Sequence, residues 1–120
     1  DHQLSGYRPW GSFEIFEESA NYIIKKIIVD PGCSSSIQTH LRRSEHWIII
    51  SGTAKVTIND VEQFLHTSES LHIPKNTKHR VENPMTEPLV LIEIQTGIDL
   101  NENDIKREND NYLKEDPVKI

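Results

Sequence analysis

Four side chains with metal-binding atoms stand at spacings that a small antiparallel barrel can bring together: Gln38, His40, Glu45 and His79. Gln38 and His40 are two residues apart, and on an extended strand such a pair projects from one face because side chains alternate with a period of two. Glu45 and Trp47 repeat this spacing after a turn through Leu41, Arg42, Arg43 and Ser44, so one hairpin can aim three donors at a point. His79, which follows the IPKNTK stretch, is the expected fourth. One amide oxygen, one carboxylate and two imidazoles suit a borderline divalent ion at about 2.0–2.2 Å, with positions left open for substrate. Zn leads that choice, with Co, Ni, Mn or Fe as alternatives the donor set does not separate. Whether Gln38 ligates directly or through a hydrogen bond stays open. The competing reading makes His40 and His79 ordinary barrel histidines and Glu45 a surface charge.

The elements that must position these donors read as short strands. Asn21 to Asp30, NYIIKKIIVD, is rich in β-branched residues and ends at Pro31 and Gly32, as a strand followed by a turn does. Further strands are expected at Phe13 to Glu17, Ser36 to His40, Glu45 to Ser51, Ala54 to Ile58, Val61 to Leu65, Ser70 to Ile73, His79 to Glu82 and Leu89 to Gln95. Between them lie turn signals at Ser51–Gly52, Asn59–Asp60, Pro74–Asn76 and Asn83–Pro84. Many short strands and tight turns without a helical period predict an all-β antiparallel sandwich or barrel. Residues 1–12 read as an irregular arm, with Pro9 and Gly11 discouraging regular structure and Trp10 anchoring it; residues 13–98 read as the barrel and 99–120 as a polar tail. One or two helical turns are expected near Glu102 to Arg107.

Composition narrows the functions available. At 120 residues the chain is one domain, and its 35% hydrophobic and 27% charged content is that of a soluble globular protein. No apolar run approaches the roughly 20 residues of a membrane helix. A net charge of −6 argues against a nucleic-acid partner, so an anionic substrate must be met by locally placed basic residues. The single cysteine, Cys33, forms no intrachain disulfide, and with no signal-peptide pattern the expected compartment is the cytoplasm. The chain opens on Asp1 rather than Met, which leaves room for an excised segment of something longer.

The spacing Gly32, Gln38, His40, Glu45, Gly52 resembles the first signature of the cupins, with Gln38 where a histidine is usual. Pro74, Asn76, His79 and Asn83 resemble the second, with Asn76 in place of a glycine; asparagine tolerates the same left-handed turn. RPWGSFEI, QTHLRRSEHWIIISGTAKVTI, IPKNTKHRVENP, LIEIQTG and DIKREND together resemble the carboxy-terminal cupin of type II mannose-6-phosphate isomerases, a domain often fused behind a mannose-1-phosphate guanylyltransferase. The likeness runs from about Arg8 to about Asp110, and glutamine at the first ligand position is normal there. It implies a cupin fold (a double-stranded β-helix) and interconversion of mannose 6-phosphate and fructose 6-phosphate in GDP-mannose biosynthesis. A longer chain carrying the guanylyltransferase is also implied. Where the family is usually histidine-rich before its arginine, this chain has Leu41 and Arg42.

An aldose–ketose isomerase moves a proton between C1 and C2 of an open-chain sugar phosphate through a cis-enediol. It needs a Lewis acid at the oxygens, a base at the carbon-bound proton and a cationic grip on the phosphate. Arg43 matches the arginine after the family's histidine-rich run, and its planar fork suits a phosphate. Arg80, Lys78 and Arg8 are further candidates for that grip. For the base, Lys25 shares a strand face with Ile27 and Val29, and Glu93 and Gln95 share one with Leu91, so both faces are expected to line the pocket. Two readings compete: a non-catalytic sugar-binding or regulatory cupin, and a metal-dependent dioxygenase, which Gln38 disfavours because redox cupins more often carry three histidines and a glutamate. An apolar Tyr22 to Val29 strand near a sheet edge would invite pairing, so a homodimer is expected.

Overall fold

Alternation of β-branched and polar residues, interrupted every few positions by turn formers, produces strands throughout the computed structural model, which describes residues 4–97 and 105–107. In chain order the described strands are β1 (Ser5–Arg8), β2 (Gly11–Glu18), β3 (Tyr22–Val29), β4 (Gln38–His40), β5 (Arg43–Ser51) and β6 (Ala54–Ile58). They continue with β7 (Val61–Leu65), β8 (Ser70–Ile73), β9 (His79–Glu82), β10 (Leu89–Gly97) and β11 (Ile105–Arg107). A six-stranded sheet runs β1-β2-β3-β10-β5-β8 and a five-stranded sheet runs β11-β4-β9-β6-β7, with every pairing antiparallel. The fold is thus the expected all-β cupin barrel.

The inner faces of the two sheets meet over one apolar core. Ile27, Val29, Trp47, Ile49, Leu89 and Leu91 from the larger sheet pack with Ala54, Val56, Leu65 and Val81 from the smaller, and Trp10 is buried among them as the expected anchor. The turns follow the residues that favour them. Asn59 and Asp60 both take positive φ (47° and 70°), which matches a two-residue hairpin to the twist of β6 and β7. Asn76 takes φ 59°, so it does adopt the left-handed conformation of the glycine it replaces. Gly52 takes φ 97°, and a Cβ there would lie 3.0 Å from the Pro88 carbonyl. Asn83 ties the last turn together, donating from Nδ2 to the Val29 and Glu87 carbonyls and accepting from the Met85 amide.

Four expectations are corrected. The amino-terminal arm is not irregular: β1 pairs with β2 around a turn at Pro9 and Trp10, and Gly11 lets β2 lie against β3, since a Cβ there would meet the Ile28 carbonyl at 1.9 Å. Tyr22–Val29 is not near an edge, since β3 lies between β2 and β10; the edges of its sheet are β1 and β8. The strand expected from Ser36 begins at Gln38, although Ser34 already bridges Glu82 and the Ser35 amide donates to the Val81 carbonyl. The expected helical turn is a strand at 105–107, paired to β4, while residues 102–104 and the rest of the polar tail lie outside the described residues.

Candidate metal centre

Along β10 the inward side chains are Leu89, Leu91, Glu93 and Gln95, all buried, so one strand passes from an apolar to a polar layer. Its neighbours change at the same level. Leu89 and Leu91 face Val29 and Ile27, whereas Glu93 lies opposite Lys25 on β3 and Trp47 on β5, and Gln95 opposite Glu45. The smaller sheet repeats the change: Val56 pairs with Val81, and one step along His79 lies between Ile58 and Gln38. The upper layer of the barrel is therefore a buried polar chamber above an apolar floor.

Within it, metal-binding atoms of His40, Glu45 and His79 all lie within 4.8 Å of one another. His40 Nε2 is 3.2 Å from Glu45 Oε2, and His79 Nε2 is 3.9 Å from Glu45 Oε1. His79 Nδ1 lies 3.0 Å from the Thr77 carbonyl, which can only accept, so the proton sits on Nδ1 and Nε2 presents a lone pair. That Nε2 is buried and has no hydrogen-bond partner. A lone-pair nitrogen beside a carboxylate oxygen in a desolvated chamber is repulsive unless a cation lies between them. The donors present therefore fit a divalent ion of the zinc type. Gln38, 1% exposed, donates from Nε2 to Ser36 Oγ at 3.1 Å, which fixes the rotation of its amide.

Electrostatics follow from burial. Desolvation pushes the Glu45 carboxyl up, against the pull of Arg43 and the Trp47 hydrogen bond. Burial pushes the His79 imidazole down, against the Thr77 carbonyl, so it stays neutral and able to ligate. Desolvation and then the Glu45 charge push the Glu93 carboxyl up to about 7, opposed by Lys25, Arg43 and Gln95. Gln95 Nε2 donates to Glu93 Oε1, and Glu93 Oε2 has no hydrogen-bond partner.

The other predicted site residues divide. Arg43 is brought in, but buried rather than reaching outward: Nε is 3.4 Å from Glu45 Oε2 and Nη2 is 3.2 Å from His40 Nε2. Lys25 faces inward opposite Glu93, and its Nζ lies 5.6 Å from the centroid of the Phe13 ring, while the Arg8 guanidinium sits 4.7 Å from the same centroid. Two cations thus lie close to one aromatic ring. Arg80 is not brought to the cluster: next to inward His79 on β9, it points to the opposite face and donates to Ser34 Oγ at 2.9 Å. Lys78 pairs instead with Asp60 at 3.2 Å. Trp47 packs in the core and its Nε1 also donates to Glu45 Oε1 at 2.9 Å, a role for which the shared face of positions 45 and 47 was the available signal. The Thr77 carbonyl, as a backbone group, left none.

This fold and chamber define a cupin barrel. The chain belongs to the family described as "Mannose-6-phosphate isomerase C-terminal", whose model matches residues 1–110. It is 46% identical over 110 residues to mannose-1-phosphate guanylyltransferase 2 of Escherichia coli O157:H7, covering 92% of this chain and 23% of that protein. It is 43% identical over 111 residues to the alginate biosynthesis protein AlgA of Pseudomonas putida, covering 92% and 23%. The chain therefore spans under a quarter of the length of these curated relatives. Among solved structures it is similar to the capsular polysaccharide assembling protein CapF from Staphylococcus aureus (TM-score 0.77, 23% identity, 87% of this chain and 33% of that one). It also resembles a sugar phosphate isomerase of the cupin superfamily from Silicibacter pomeroyi (TM-score 0.66, 14% identity, 71% and 58%). No helix among the described residues is long and apolar enough to cross a membrane.

Proposed function

We propose that this chain is a metal-dependent sugar-phosphate isomerase module that interconverts mannose 6-phosphate and fructose 6-phosphate through a cis-enediol. It would work in the cytoplasm as part of a longer chain bearing a mannose-1-phosphate guanylyltransferase. The observation that carries the reading is the convergence of His40, Glu45 and His79 in a buried chamber that also holds an ionisable carboxyl, Glu93. Family membership, and relatives named as mannose-1-phosphate guanylyltransferases, support the choice of sugar.

His40, Glu45 and His79 would hold the ion, with Gln38 as the fourth donor. When bound, a divalent ion there supplies a Lewis acid for the C1 and C2 oxygens of the open-chain sugar. Glu93 supplies, from inside the buried chamber, the carboxyl that an acid–base step requires. Glu93 takes the proton from C2 of mannose 6-phosphate, exchanges it with water and delivers a proton to C1 of the enediol while the hydroxyl proton passes from O2 to O1, and Gln95 holds that carboxylate in place. Lys25, across the strand from Glu93, is the second candidate for the proton-handling group. Arg43 puts a fixed positive charge beside the oxygens that become negative in the enediolate. Arg8, which shares the Phe13 ring with Lys25, grips the phosphate end.

The test is turnover of mannose 6-phosphate deuterated at C2. Fructose 6-phosphate should form with label lost to solvent, stop with chelator, return with added Zn and be absent in His40→Ala. Metal-loaded protein that binds the sugar phosphate without turning it over would sink the reading. It would favour a non-catalytic cupin, which the pairing of Arg43 with the ligand carboxylate also suits.

A further inference from the structure

Arg43 enters the chamber from its rim. It is the first residue of β5 and pairs with Gly97, the last of β10, one step beyond the level at which Glu45 faces Gln95. From there the side chain turns back over the donors and is buried, 5% exposed. Its Nη2 lies 3.2 Å from His40 Nε2 and its Nε 3.4 Å from Glu45 Oε2, while that nitrogen and that oxygen stand 3.2 Å apart. A guanidinium only donates, so the His40 Nε2 that meets it presents a lone pair. Glu45 Oε2 accepts no hydrogen bond, which agrees with an Nε2 that carries no proton. The cation shared by this nitrogen and this oxygen is therefore arginine's own.

A neutral imidazole nitrogen has a single lone pair, which either accepts from Arg43 or bonds a metal. Resting on the metal centre proposed above, we infer that Arg43 and the ion exclude each other at His40 Nε2, so that Arg43 sets the affinity of the centre. The donors are the parts that stay. The His40 carbonyl accepts from the Asn76 amide at 2.6 Å, and Trp47 Nε1 holds the other oxygen of Glu45 at 2.9 Å. An arginine cannot relieve the conflict by giving up its proton, as a lysine or histidine could, so it has to move. Repulsion between a guanidinium and a dication in a desolvated chamber acts in the same direction. The way out is the rim, because the apolar layer of Ile49 and Leu91 closes the other side. Metal entry thus turns the guanidinium off His40 and makes its donors available to the oxygens of a bound sugar phosphate.

Arg43→Met keeps the apolar stem and deletes the charge and the donors. Measured against a competing chelator, this variant should bind Zn more tightly than the unaltered chain, by about tenfold or more, with its β circular-dichroism spectrum intact. Nitrogen-15 spectra of the unaltered chain give a readout independent of any variant. As Zn is added, the Arg43 Nε–Hε signal should shift and exchange faster with water, in step with the His40 and His79 ring nitrogens. Equal or weaker Zn binding by folded Arg43→Met would overturn the exclusion and leave the metal centre standing. So would an Arg43 signal indifferent to bound Zn, or ring shifts showing that His40 ligates through Nδ1. Ring nitrogens that ignore Zn altogether would remove the metal centre itself, and the exclusion with it.

Discussion

Glu93 holds its proton to about pH 7 because its carboxyl is buried and shares the chamber with Glu45. The folded-state value lies above the 4.5 of an exposed carboxyl, so the stabilising contribution is complete below that pH and is lost as pH rises through about 7. At 1.36 kcal/mol per pKa unit the loss is on the order of 3 kcal/mol. Glu45 is shifted in the same direction; lowered His79 has the opposite sign, its contribution being present above 6.5 and lost as pH falls. Urea unfolding of metal-free protein between about pH 5 and pH 8 should therefore show stability declining with pH, and Glu93→Gln should flatten the slope. An unchanged slope in the variant would remove Glu93 as its source. The same variant should lower kcat by about 10²–10⁴ if the carboxyl handles the proton. Trp47→Phe keeps the packing but deletes the hydrogen bond to Glu45, so Zn affinity, read against a competing chelator, should fall about 10–100-fold.

Strands set which residues can join the site, because neighbours on a strand face opposite ways. His79 enters the chamber and Arg80 leaves it; Glu45 enters and His46 lies outside, stacked at 4.3 Å on His72. The same rule makes Glu93 and Gln95 partners and puts Ile92 and Ile94 on the outer face of the sheet. Closure at the end of β10 depends on Gly97, where a Cβ would stand 2.1 Å from the Arg42 carbonyl and 2.9 Å from the Arg43 Cα. Gly97→Ala should therefore push β10 from β5 beside Arg43, destabilising the protein by about 1–3 kcal/mol. Zn affinity should fall with it, and a variant of unchanged stability and affinity would show that the strands part without disturbing the chamber.

For the molecule as a whole, the proposed ion and the fold would stabilise one another, since the candidate ligands come from three strands of two sheets: His40 from β4, Glu45 from β5 and His79 from β9. Only the folded chain assembles them, so free Zn at about a hundred times its dissociation constant should add about 2.7 kcal/mol to stability. Differential scanning calorimetry should register this as a rise in Tm of several degrees, absent in His79→Ala. No rise at saturating Zn would argue that the three donors do not form one site.

The alternation of β-branched residues and the turn pairs were enough to read a cupin barrel from the chain alone, and the spacing singled out three side chains, His40, Glu45 and His79, whose metal-binding atoms the fold brings within 4.8 Å of one another. These depend on local periods of two and on short intervals along one strand or hairpin. Tertiary structure alone decided that Arg43 is buried against Glu45 and that Arg80 is turned away. It also placed β3 in the middle of its sheet. Those facts rest on which strands become neighbours and in what register, and strands distant in sequence choose each other only when the two sheets close on a common core.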